Sequence, residues 1–177
     1  MKKKFGIVAS MILSSFLFLS GCGNETTSSQ QGKQAGKETS SHKEEHQHHT
    51  SSGDIQEETK TANVMPDFLN GKPEEMAAIY AAAPKYQELL EHIPCYCGCN
   101  DSAGHRDNYD CFIHENKNNG AVVWDDHGTK CGVCLITAAE SINQLNEGKS
   151  IKEIREYIDN KYKEGYPEPT PTPQPKG

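Results

Sequence analysis

The sequence has no apolar run of membrane-spanning length. The nearest approach, Phe5 to Leu19, covers 15 residues, where a helical span takes about twenty. Nor is there an excess of positive charge. The 177 residues carry a formal net charge of −7, so no basic footprint marks a nucleic-acid partner. The common catalytic signatures are missing too: no Gly-X-Ser-X-Gly, no His-Glu-X-X-His and no phosphate-cradling glycine loop. Large apolar residues are almost absent from Gly23 to Ala62, where Ile55 is the first. A stretch of that composition cannot bury enough surface to offset its chain entropy.

What is there begins with an export pattern. Lys2, Lys3 and Lys4 form a positive n-region and Phe5 to Leu19 an apolar h-region. Leu19-Ser20-Gly21-Cys22 then resembles a bacterial lipobox. That resemblance implies cleavage after residue 21, lipidation of Cys22, and a protein held on the cell membrane facing outside the cytoplasm. Two or three acyl chains suffice for stable anchoring. An ordinary secretory signal with a chance cysteine is the plain alternative. Loss of residues 1–21 removes three lysines and no acid, which takes the formal charge from −7 to −10. That field favours cations and disfavours nucleic acid.

The expected organisation is a signal peptide over residues 1–21, a disordered tether over 22–62, a folded domain over 63–165 and a Pro-rich, solvated tail over 166–177. Forty flexible residues reach about 35 Å. The tether includes His42, His46, His48 and His49, a His-rich tract that is either a weak metal-capture site or a polar spacer. Within the domain, Pro73-Glu74-Glu75 starts a helix, and Met76, Ile79, Tyr80 and Ala83 keep helical spacing. Tyr86, Leu89, Leu90 and Ile93 continue it as a second segment ending at Pro94. Asn100 to Gly128 reads as irregular loop, with Trp124 as a core anchor. Ala138, Ile142 and Leu145 mark a later helix that stops at Gly148, and Ser150-Ile151-Lys152-Glu153 is a capping-box pattern opening a last one. These features predict a mainly α fold: a small helical domain with a C-terminal helical hairpin and a loop-rich, cysteine-centred site.

Six of the seven cysteines fall between Cys95 and Cys134. Cys95, Cys97 and Cys99 alternate, so they share one face of a strand or converge in a tight loop. Cys131-Gly132-Val133-Cys134 has the spacing of half a metal site, and Cys111-Phe112-Ile113-His114 pairs a thiol with an imidazole at the same spacing. His105 and His127 lie close by in sequence. Metal ligation by Cys95, Cys97, Cys99, Cys111, Cys131 and Cys134, with His105, His114 and His127 as further ligands, is the favoured reading. Soft sulfur suits Cu(I) or Zn(II), and the donors exceed what one tetrahedral ion needs, so two sites or a binuclear one are open. Asp125-Asp126-His127 reads as a carboxylate orienting a ligand, or as a polar turn.

Two other readings stand beside it. A Cys-X-X-Cys at a helix start suits thiol–disulfide exchange. Cys131-Gly132-Val133-Cys134, followed by Gly148-Lys149-Ser150, Glu153-Ile154 and Lys161-Tyr162, resembles over about thirty residues the small thiol reductases of cytochrome c maturation, with a shorter interval and Lys161 replacing an Arg. Alternatively, six cysteines in an exported domain make three structural disulfides, stabilising an interaction lipoprotein with an envelope protein as partner.

Pro94-Cys95-Tyr96-Cys97-Gly98-Cys99 is similar to the signature of the PCYCGC-motif bacterial lipoproteins. The resemblance covers roughly residues 60–165. It implies an exported lipoprotein in which the six cysteines form one functional unit, and it implies no particular chemistry.

Overall fold

The computed structural model describes residues 47–176. Cys22, His42 and His46 lie outside the described residues, as do the signal and lipobox readings. Among the described residues, no helix is long and apolar enough to cross a membrane.

The fold is mixed α/β, which corrects the expectation of a mainly α domain. Four strands form one antiparallel sheet: β1 Gln47–His49, β2 Ile55–Thr59, β3 Ile113–Asn116 and β4 Val122–Asp125, in the order β1-β2-β4-β3. Two of these strands lie in the stretch read as tether. The residues of β2 that turn inward are polar, Glu57 and Thr59, so no apolar alternation marks the strand. Specific hydrogen bonds hold it instead. The Glu57 carboxylate accepts from the backbone N–H groups of Asp67 (2.6 Å) and Phe68 (3.3 Å). Thr59 Oγ1 accepts from Trp124 Nε1 at 2.8 Å. β3 and β4 form a hairpin closed by Asn118-Asn119-Gly120, where Gly120 takes φ 87°, a turn conformation that glycine adopts without strain.

The helices follow the apolar spacing. α1 Glu74–Ala82 starts after Pro73 and runs through a 3₁₀ turn, Ala83–Tyr86, into α2 Gln87–Leu90. A short α3, Asn100–Ala103, comes next, then α4 Gly132–Asn146 and α5 Ile151–Lys161. Ser150 and Glu153 form the reciprocal capping box that opens α5, and Gly148 reverses the chain before it at φ 90°. Ala138 and Ile142 of α4 and Ile154 and Ile158 of α5 are buried together with Leu89, Leu90 and Ile93.

The sheet meets this helical layer at an aromatic cluster. Tyr80 packs edge-on against Phe112 with ring centroids 5.1 Å apart, and its hydroxyl donates to the Asp125 carbonyl at 2.8 Å. Trp124 is fully buried beside it, as the sequence reading placed it.

Residues 166–176 are extended and mostly exposed, but they are docked at two positions. Thr170 and Thr172 are buried. Thr170 N–H donates to the Cys95 carbonyl (3.0 Å), and Thr170 Oγ1 accepts from Cys95 N–H (2.9 Å). Thr172 Oγ1 donates to the Arg106 carbonyl at 2.7 Å. The Arg155 guanidinium donates to the carbonyls of His92 and Pro173 at 3.0 and 3.2 Å. The segment is strapped across the cysteine motif by one backbone hydrogen bond and by the side chains of Thr170, Thr172 and Arg155, contacts that proline composition does not reveal.

Candidate metal centre

The six cysteines between Cys95 and Cys134 come together in one place. Cys95, Cys97 and Cys99 lie on the tight loop between α2 and α3. Gly98 makes the turn at φ 77°, and a Cβ there would also press on Pro167 at 3.1 Å. Cys111 ends a 3₁₀ turn just before β3. Cys131 caps α4, its sulfur 3.5 Å from the N–H of Cys134, which lies in the first helical turn. All six are free thiols.

Cys95 is the hub. Its sulfur lies 3.0 Å from Cys97, 3.3 Å from Cys134, 3.6 Å from Cys99 and 3.8 Å from Cys111. Cys111 and Cys134 are 3.4 Å apart. Zinc–sulfur bonds of about 2.3 Å in a tetrahedron set neighbouring sulfurs about 3.8 Å apart. The Cys95 gaps to Cys99 and Cys111 already match that spacing closely, and the shorter ones to Cys97 and Cys134 must open by about 0.5–0.8 Å to hold an ion.

Two histidines complete the cluster. His105 Nδ1 stands 3.6 Å from Cys111 and 3.7 Å from Cys99. His127 Nε2 stands 3.7 Å from Cys97. Its other nitrogen, Nδ1, pairs with the buried carboxylate of Asp54 at 3.3 Å. A carboxylate on one nitrogen fixes the ring and leaves the other for a metal, the usual outer support of a ligand histidine. Asp54 sits at the end of the turn joining β1 to β2, where Ser52 and Lys130 also donate to it. Burial opposes its ionisation, but those two hydrogen bonds hold its carboxyl below the usual value.

Of the nine residues named as metal ligands from sequence, eight converge. His114 does not. It is exposed at the bulge where β3 slips register against β4, and it belongs to none of the groups able to hold an ion. Of the two readings of Asp125-Asp126-His127, the polar turn is the one the structure shows. The Asp125 carboxylate accepts from the backbone N–H of His127 at 2.9 Å and from Gln56, making a turn cap. The residue that orients the His127 ring is Asp54, distant in sequence and inside the polar stretch, where no spacing could flag it.

Electrostatics divide the thiols. Hydrogen bonding with Cys111, then Cys134, holds Cys95 down to about 4. Cys111 does the same for Cys99, also about 4. Cys131 is held lower still, by Cys134 and then Cys97. Bonding with Cys111, Cys131 and Cys95 pushes Cys134 far up. Cys111 is also pushed well up: its bond with Cys134 opposes this and is outweighed by Cys95, Cys99 and complete burial. Burial disfavours a charged His127, yet Cys131, then Cys97 and Cys99, raise it far above its ordinary value. Cys111 and Cys134 thus hold their protons more strongly than Cys95, Cys99 and Cys131 do. A bound cation would let those two ionise.

The family model described as "Protein of unknown function with PCYCGC motif" matches residues 11–175. The chain belongs to the PCYCGC family. The resemblance read from Pro94 to Cys99 is thereby borne out. No curated protein and no solved structure matches it. In this PCYCGC protein, the defining motif is the loop that supplies three of the converging sulfurs.

Proposed function

We propose that this protein is a metal-binding lipoprotein on the outer face of the cytoplasmic membrane, handling, delivering or sequestering a soft ion, Cu(I) or Zn(II). The observation that carries the reading is the convergence of six free thiols and two imidazoles on one centre, one imidazole backed by the buried carboxylate of Asp54. Thiolate and imidazole are the donors such ions prefer. Lys2 to Lys4, the apolar run to Leu19 and the lipobox ending at Cys22 support the location and the anchor.

The test is elemental analysis with a thiol count on the full chain, purified from its own membrane without chelators. Stoichiometric copper or zinc is expected, with thiols that titrate only after acid or chelation. A metal-free protein with six readily titrated thiols would sink the reading.

Thiol–disulfide exchange is the second reading, favoured by Cys131. It is half-buried, caps α4 and lies close to His127, and its thiol is held far down. These are the features of an attacking thiolate. Selective alkylation of Cys131 at low pH, in a protein that binds no metal, would favour it.

A further inference from the structure

We infer that the centre holds two unlike ions, one buried and one open to exchange. This rests on the metal-binding reading and deepens it. Four-coordinate sites take four donors each, and eight are present. Cys97, His127, Cys131 and Cys134 lie within 4.8 Å of one another, three of them half-buried. Cys99, His105, Cys111 and His127 form a second such foursome. His127 cannot serve both. Its Nδ1 is taken by Asp54, and its Nε2 points at Cys97 of the first set. The second set therefore needs another donor, and Cys95 stands 3.6 Å from Cys99 and 3.8 Å from Cys111. The outcome is a buried set, Cys95, Cys99, His105 and Cys111, with every member at most 6% exposed. Beside it lies an edge set whose Cys97, His127 and Cys131 reach solvent. The two meet where Cys95 touches Cys97 and Cys134 at 3.0 and 3.3 Å.

Burial decides their roles. An incoming ligand can reach a sulfur of the edge set and displace it. No donor of the buried set is open to such attack. The edge ion is the one passed on, and the buried ion holds the loop that presents it.

The test uses the full chain carrying Cys22→Ser, His42→Gln, His46→Gln, His48→Gln and His49→Gln, so that only the centre is counted. Loading with Zn(II), and separately with Cu(I), should give two ions per chain for at least one metal. A competing chelator should remove one ion in a fast phase and the other in a slow phase. Cys131→Ser, or His127→Gln if that variant misfolds, should lose the fast ion alone. His105→Gln should lose the slow one. A single bound ion, or two ions leaving together in every protein, would overturn the inference while leaving metal binding intact. No ion of either metal would instead overturn the reading beneath it.

Discussion

At the scale of single residues, the Asp54 carboxylate sets how His127 is held, with Nδ1 engaged and Nε2 facing Cys97. Asp54 carries the sharpest residue-scale prediction. Asp54→Asn should weaken metal binding by about 10–100-fold with all thiols still present, as read by competition against a chelator of known affinity. An unchanged affinity would mean that the Asp54–His127 contact does not support a ligand. Cysteine density and spacing point to the six thiols because few other arrangements need so many together. His114 looked equivalent to His105 and His127 because sequence distance cannot register a strand bulge that turns one ring outward. Asp54 gave no signal at all, since a carboxylate in a polar stretch is ordinary. Gly128 offers a test of packing. A Cβ there would sit 2.7 Å from the Phe112 ring and 2.9 Å from the Tyr80 hydroxyl. Gly128→Ala should therefore cost about 1–3 kcal/mol of stability in urea unfolding, with metal stoichiometry intact.

At the scale of elements, the longer helices could be read, α3 inside the expected loop could not, and among the strands only the β3–β4 pair left a cue. α4 and α5 announce themselves by apolar period and by a capping box. Ser150→Ala should lower stability by about 1 kcal/mol. β2 lacks such a signal because Glu57 and Thr59 face inward and are satisfied by named partners rather than by apolar packing. The Asn-Asn-Gly of the β3–β4 turn was a usable hairpin cue, and with Val122-Val123-Trp124 it could have located that pair. The strap over the motif was hidden for another reason: its proline content also describes a free tail. Thr170→Val removes the acceptor for the buried Cys95 N–H while nearly keeping the side chain's shape. It should cost about 1–3 kcal/mol and speed metal loss. Stability and release rate both unchanged would show that the strap merely lies on the surface.

At the scale of the whole molecule, the centre ties together distant parts of the chain. Asp54, the PCYCGC loop, Cys111, His127 and the start of α4 all reach it, so ion binding and folding are linked. Thiols bind a cation as thiolates, and Cys111 and Cys134 hold their protons strongly, so metal binding must release protons. Acidification should then expel the ion, and raising the pH should tighten binding. Calorimetric titrations in buffers of different ionisation enthalpy should give different heats. Identical heats in all buffers would mean that no proton leaves.

The strap has a consequence for timing. Residues 167–173 follow every donor in chain order. In a polypeptide made from its amino end, all eight donors exist before the segment that covers Cys95. For that interval the Cys95 backbone lacks its two hydrogen bonds to Thr170, and an ion bound early would have to hold the motif loop in place of the strap.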